Sequence, residues 1–530
     1  MARLTYTQVA GQSWIADQLK DGGTPIAATA IELAYLSVSG TQVVMSGTDF
    51  RYDELGQVID GTVSRVRVLS ALGDELFRID CSASLATLVR LAFGSAGSGS
   101  GDGGAVLRHL LRGNDLVIGS GGDDTLWGGV GAGTGDDTVR GGTGNDLIRG
   151  DAGSDVLGGG AGLDRLDYQS SYTDGMAYRG IVLNVAAGTV TDCWGGLDRI
   201  SGFESYGDSA FGDSLTGSDA GETFALGAGR DVLAGGLGVD WLDYGEALSL
   251  GGRRGILADL AAQKVVDPFG FADQVIGVEG LGGTALADVM RGDAADNSFD
   301  GRQGVDSFDG REGRDRLGFW GVEGLGGHGV QIDMTAAGAQ VLDDGFGNAE
   351  RVTSIESFTL SGLGDSFVGL DGVDDVAGGG GNDLLSGGAG DDALAGDGGA
   401  DTILGGAGRD WIEGGAGHDE LTGGDGADSF VFRRQLSADA DTIHGFVSGE
   451  DRIWLAAGWI GLPMTGIAAR HVLSGDGVVE ATTAVQRLLY DTGTGILRYD
   501  RDGMGTAEAE VVAVLSGQEA LTWRDFAILT

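Results

Sequence analysis

Cysteine, proline and positive charge are all scarce in this 530-residue chain, which has 2 cysteines, 3 prolines and 33 Lys plus Arg. Cys81 and Cys193 lie in different segments, so a disulfide scaffold is excluded and a structural zinc cluster lacks ligands. So little proline, without glycine at every third residue, excludes collagen. The basic residues face 79 Asp plus Glu, a net charge of −46. Nucleic acid and anionic membrane surfaces need a positive footprint, so neither fits. The five histidines (His109, His328, His418, His444, His471) are scattered. Neither H-E-x-x-H nor a G-x-S-x-G elbow occurs, which removes the zinc-protease and serine-hydrolase signatures. No run of about 18 apolar residues could span a bilayer. The start, MARLTYTQVAGQSWIADQL, lacks the apolar core and cleavage site of a secretory signal.

What the chain has in abundance is glycine, 105 residues, while 42% of the chain stays hydrophobic. Glycine with regular apolar spacing predicts repeated tight turns and short strands rather than disorder. The spacing is nine. Asp374, Asp383, Asp392, Asp401, Asp410, Asp419 and Asp428 follow one another at that interval, each with an apolar residue two places later: Val376, Leu385, Leu394, Ile403, Ile412, Leu421 and Phe430. The unit reads G-G-x-G-x-D-x-(apolar)-x. Its glycines permit a tight loop with carbonyls aimed at one point, its aspartate supplies a hard anionic oxygen, and its last three residues make a strand with the middle side chain inward.

An earlier block repeats the phasing at Asp115, Asp124, Asp137, Asp146, Asp155 and Asp164, with one step of 13 that predicts an enlarged loop in GVGAGTG. Two further blocks hold Asp213, Glu222, Asp231 and Asp240, then Asp288, Asn297, Asp306 and Asp315. Phe211 and Ala220 stand where a fourth-position glycine belongs, so those units keep the strand without a clear metal loop. Three inserts align with one another at a super-repeat of about 75 residues. Gly180, Gly255 and Gly329 correspond, as do Glu204, Glu279 and Glu356. GIVLNV, GILADL and GVQIDM alternate like strands, as do DRISGFE, DQVIGVE and ERVTSIE.

The nonapeptide resembles the RTX (repeats-in-toxin) calcium-binding repeat. The resemblance implies an all-β fold, a right-handed parallel β-roll with two nonads per turn, so that residues 18 apart stack. Asp374, Asp392, Asp410 and Asp428 then share one edge, and Asp383, Asp401 and Asp419 the other. Turns lie about 4.8 Å apart. Carboxylates at that distance repel by roughly 3–4 kcal/mol at an effective dielectric of ~20, so folding and Ca²⁺ binding should be one event. The implied calcium residues are the aspartates of the first and last blocks with Asp231, Asp240, Asp306 and Asp315. The implied loop glycines are Gly141, Gly142 and Gly144, then Gly378, Gly379, Gly381, Gly387, Gly388, Gly390, Gly396, Gly398, Gly399, Gly405, Gly406, Gly408, Gly414, Gly415, Gly417, Gly423, Gly424 and Gly426. Fifth-position residues such as Arg409 and His418 should point to solvent and matter little.

The expected organisation is an N-terminal β-rich region with a Gly/Ser link (1–104) and repeat blocks at 105–168, 207–243, 282–318 and 364–432. Inserts of wider β-coil fill 169–206, 244–281 and 319–363, and a β-sandwich-like cap ends the chain (433–530). In the N-terminal region, turns are expected at Gly47, Gly56 and Gly73, and GTDFRYDELGQVIDGTV resembles a leader found before RTX arrays. DSFVFRRQLSADADTIHGFVSGEDRIWL resembles the segment that closes RTX rolls in proteins exported by type I secretion, and the final stretch resembles their uncleaved export signal. Expected partners are therefore calcium ions and a type I secretion apparatus, with self-association, an extracellular glycan or a cell surface left open. The expected role is a secreted surface, matrix or adhesion component. A self-assembling surface layer or filament and a polysaccharide-active enzyme are the alternatives. Acid pairs such as Asp136–Asp137 fall at the fifth and sixth repeat positions, which favours a non-enzyme.

Overall fold

A computed structural model describes residue 114 and residues 116–119, 122–128, 135–169, 177–433, 440–460, 467–517 and 520–529, with the backbone of five strands between residues 2 and 84. Asp115, residues 129–134 of the enlarged loop and the 94–104 link lie outside the described residues. The chain forms two compact units: residues 1–253 with 263–278, and residues 254–262 with 279–530. Among the described residues no helix is long and apolar enough to cross a membrane.

In the first unit, strands Ala2–Thr5, Ile31–Leu36, Gln42–Tyr52, Val58–Leu69 and Glu75–Ser84 form a sheet. The last three are an antiparallel meander whose final strand pairs with Leu116–Ile118 of the first nonad. The expected turn at Gly47 is instead a register shift inside one long strand. A glycine in a strand interior commonly marks such a bulge. The turns expected at Gly56 and Gly73 lie outside the described residues.

The nonads that follow make two parallel sheets. Strand Thr138–Thr143 pairs with Val156–Ala161, 18 residues on, while Leu147–Arg149 pairs with Arg165–Asp167 in the facing sheet. Across the step of 13 the stacking interval is 22, as with Val117 against Val139. The second unit has the same plan at its fullest. Leu384–Ala389, Thr402–Ala407 and Glu420–Asp425 stack in one sheet, and Asp375–Ala377, Ala393–Ala395, Trp411–Glu413 and Ser429–Phe432 in the other. Every eighth-position side chain from Val376 to Phe430 is buried, as are Val117, Leu126, Val139, Ile148, Leu157 and Leu166. With one inward residue per three-residue strand, the core is a single row from each sheet. Phe358 and Phe367 meet across it at 5.0 Å, and Phe299 and Phe308 at 6.1 Å.

The inserts owe their greater width to an antiparallel excursion. In the first, Val182–Asn184, Thr189–Thr191 and Leu197–Ser201 form a meander. Its last strand stacks in parallel on the preceding nonad strand Val156–Ala161, and its first on the following one, Ser214–Thr216. The third insert repeats this order with Gln331–Asp333, Val341–Asp343 and Arg351–Thr353. The facing sheet gains one strand per insert, Ser205–Gly207 or Ser357–Thr359. The middle strands fall in TVTD and VLDD, too short to show alternation in the sequence.

The cap prolongs both sheets of the second unit. Ser429–Phe432 pairs with Arg452–Ala456, which pairs with Phe526–Leu529. Opposite, Asp441–His444 pairs with Glu510–Leu515, followed by Ile496–Tyr499, Leu488–Asp491 and Val472–Gly475.

Candidate metal centre

In the glycine-rich nonads, sixth-position aspartates reach back one turn with one carboxylate oxygen. Asp410 Oδ1 accepts the backbone N–H of Asp392 at 3.0 Å, and Asp392 Oδ1 accepts that of Asp374 at 2.9 Å. On the other edge, Asp401 accepts from Asp383 and Asp419 from Asp401, both at 2.8 Å. The same bonds link Asp137 to Asp155 and Asp146 to Asp164. The two edges are thus the two stacks expected from an 18-residue period.

Only one carboxylate oxygen is used this way. The Oδ2 atoms of Asp374, Asp383, Asp392, Asp401, Asp410, Asp419 and Asp428 are buried without a hydrogen-bond partner. So are those of Asp306 and Asp315 in the second unit and Asp146, Asp155, Asp164 and Asp231 in the first. A buried anionic oxygen without a donor is costly. Burial is the main cause of raised carboxyl pKa values along the row, to about 6 for Asp374, Asp401 and Asp410 and about 7 for Asp383.

The first-position glycine leaves this oxygen its space. A Cβ at Gly405 would collide with Asp410 Oδ2 and lie 2.6 Å from the Gly423 carbonyl of the next turn. At Gly387 it would meet Asp392 Oδ2 and the Gly405 carbonyl at 2.8 Å. An orphaned carboxylate oxygen and a carbonyl oxygen therefore converge where a side chain would sit. All donors are hard oxygens, which fits calcium.

Units without the glycine pattern solve the same problem internally. Ser361 Oγ bonds both oxygens of Asp365 at 2.8 and 3.0 Å, and its N–H donates to Oδ2 at 2.8 Å. Ser209 serves Asp213 in the same way, Thr284 serves Asp288 and Ser218 serves Glu222. Those hydroxyls occupy the second position, where the full repeat has glycine. They satisfy the sixth-position acid, so these units keep their strand with no orphaned oxygen on that residue.

The ladder also runs through residues that the nine-residue register did not single out. Asp155 donates its N–H to Asp198 in the first insert, and Asp164 to Glu204. Asp231 donates to Asp273, and Asp315 to Glu356. The aligned glutamates of the first and third inserts are therefore rungs, and an acid six residues before each insert glutamate was the signal for the other edge. Beyond the last nonad, Asp419 donates to Asp441 and Asp428 to Asp451, so two aspartates of the cap complete the stacks.

Fifth-position residues are more than solvent-facing decoration. Asp391 Oδ1 accepts the backbone N–H of Arg409 at 2.9 Å, one turn forward, and Asn382 accepts that of Ala400 at 2.8 Å. Asp136 takes Ser154 and Asn145 takes Leu163. Fifth and sixth positions thus reach in opposite directions along the stack. The Arg409 side chain itself is exposed and paired with Asp391 at 2.6 Å, and His418 is exposed too.

The repeat geometry has a counterpart in a known family. The RTX calcium-binding nonapeptide repeat (4 copies) matches residues 111–134, 132–166, 216–246, 282–317, 368–403 and 396–430. These segments are RTX calcium-binding nonapeptide repeats. RTX repeats bind calcium ions at multiple sites, and the matched segments contain every aspartate named above for its orphaned Oδ2. Among solved structures, the solution structure of the AlgE6R3 subunit from the Azotobacter vinelandii mannuronan C5-epimerase is 25% identical over 31% of this chain and 77% of its own, with a TM-score of 0.19. The crystal structure of the extracellular lipase LipA from Serratia marcescens is 10% identical over 94% of this chain and 82% of its own, with a TM-score of 0.12. No curated protein matches the chain.

Proposed function

We propose that this chain is a secreted RTX β-roll protein that folds on extracellular Ca²⁺ after type I secretion and serves as a cell-surface, matrix or adhesion component rather than a catalyst. The observation behind this reading is the row of buried, donor-less Oδ2 oxygens beside glycine loops. Bound calcium supplies the positive charge those oxygens lack. The residues that would hold it are the orphaned sixth-position aspartates and the carbonyls of the facing first-position glycines. Cytosolic calcium is scarce, so the chain stays unfolded for export; outside, roughly 10⁻⁴–10⁻³ M sites fill and the roll forms. The non-catalytic reading is supported by the acid pairs. Asp136 accepts the Ser154 N–H and its neighbour Asp137 donates to Asp155, so both belong to the stacking ladder. Circular dichroism with and without a chelator tests the calcium step, and a β signal and melting temperature indifferent to chelation would refute it. Export is tested by expressing the chain with and without residues 433–530 beside a type I apparatus, where only the full chain should reach the medium.

A further inference from the structure

The second repeat block of the first unit opens with a turn that breaks the glycine pattern. Asp208, Ser209 and Phe211 hold its first, second and fourth positions, ahead of Asp213. Asp208 and Asp213 lie outside every segment that matches the RTX repeat. The fold nevertheless gathers acids there. One carboxylate oxygen each from Asp208, Asp213 and Asp231 lies within 4.8 Å of the other two. Their exposures are 0%, 3% and 1%.

The hydrogen bonds of the three differ. Asp208 Oδ1 accepts the Gly227 N–H at 2.6 Å, and Asp231 Oδ1 accepts the Asp213 N–H at 2.8 Å. Asp213 is satisfied on both oxygens by Ser209 and on one by the Ile181 N–H. Asp208 Oδ2 and Asp231 Oδ2 remain, both buried and both without a hydrogen-bond partner. Two orphaned oxygens on fully enclosed acids are a stronger indication than acidity alone.

We propose that Asp208, Asp213 and Asp231 form a binding site for a hard divalent cation, in which an added carboxylate at the first position replaces the glycine loop used elsewhere. The donors are oxygen only and up to three are anionic, which suits calcium and not thiophilic metals. Calcium–oxygen bonds of about 2.3–2.6 Å let one ion bridge oxygens up to about 5 Å apart, so the cluster has the right span. Burial, and then the charges of Asp213 and Asp231, push the Asp208 carboxyl well above its usual range. The competing arrangement is therefore a proton shared between Asp208 and Asp213.

Asp208→Asn separates the two arrangements. The amide keeps the shape and can donate to Asp213 as a shared proton would, but it removes an anionic ligand. Native mass spectrometry of the full chain in calcium should show one ion fewer in the variant than in the parent. An equal count, with unchanged melting, overturns the site. A second measurement needs no variant: crystals of the parent grown in calcium should show a long-wavelength anomalous peak among the three carboxylates. Peaks at the glycine loops with none here would sink this proposal and leave the glycine-loop sites standing. Peaks nowhere would sink both.

Discussion

Asp410 Oδ1 accepts the backbone N–H of Asp392 at 3.0 Å across 18 residues, while Asp410 Oδ2 has no hydrogen-bond partner. One side chain thus does two separable things, holding neighbouring turns together and presenting a bare anionic oxygen. Asp410→Asn should split them. The amide oxygen can still accept from Asp392, but the charge is gone. Calcium affinity at that edge should fall on the order of tenfold or more, because ligand charge tunes such sites over decades. The metal-free β signal should hold or rise. Isothermal titration and circular dichroism read the two effects. Asp392→Ala combined with Asp410→Ala should lose both the bond and the affinity.

The same chemistry fixes a pH dependence with opposite signs for the two metal states. In metal-free protein, burial raises Asp383 to about 7 and Asp374, Asp401 and Asp410 to about 6, against about 3.9 in an unfolded chain. Between those values the folded state holds protons that the unfolded state has released. Stability is therefore fullest below about pH 4 and is lost as pH rises through 6 to 7. Metal-stripped protein should therefore hold more β structure at pH 5 than at pH 7.5, where the calcium-free roll does not form. Calcium-loaded protein should do the reverse, since protons compete with the ion for the same oxygens. Circular dichroism at the two pH values in each condition checks the crossing.

The ladder shows what the sequence made legible and why. A nine-residue period in Asp and in the apolar position two places on marks Asp374 to Asp428 as repeated loop acids and Val376 to Phe430 as the core row, because both positions are set by the backbone repeat. Sorting the acids into two stacks needed the resemblance to RTX repeats, which puts two nonads in one turn. The rungs Asp198 and Asp273 were hidden because the antiparallel excursion breaks the count, and a fixed period cannot be followed through it. The strand Thr189–Thr191 was hidden because three residues carry too little alternation to read. Fifth-position Asp and Asn looked interchangeable with Arg and His, since the direction of a side-chain bond to the next turn leaves no mark in the spacing.

Ser361 should be structural where the glycine loops bind metal. Its hydroxyl and N–H serve Asp365, so Ser361→Ala removes the two hydroxyl bonds and leaves the buried acid one backbone donor per oxygen, Val330 N–H on Oδ1 and Ser361 N–H on Oδ2. A loss of roughly 1–2 kcal/mol is expected in chemical denaturation. The number of bound calcium ions, counted by mass spectrometry, should not change. A lost ion would place Asp365 among the metal ligands instead.

Fourth-position glycine is needed because successive turns touch backbone to backbone. Gly408 has φ +140°, and a Cβ there would collide with the Gly390 carbonyl, 18 residues back. Gly408→Ala combines a left-handed strain with an overlap that no flexible side chain can relieve, and should cost roughly 2–3 kcal/mol. Gly458→Ala, where nothing lies within 4 Å, should cost little and serves as the control. Denaturant midpoints in saturating calcium compare the two.

Asp391 and Arg409 should behave very differently despite being one ion pair. The pair is exposed, and a solvent-screened surface contact of this kind contributes little to stability. Arg409→Ala should therefore leave melting in calcium almost unchanged. Asp391 does more, because its Oδ1 also accepts the Arg409 backbone N–H and so ties one turn to the next. Asp391→Ala removes that bond and should lower the melting temperature by more than Arg409→Ala does. Asp391→Asn keeps the acceptor and should restore most of the difference. Equal effects of the two alanine variants would return the fifth position to plain solvent-facing surface.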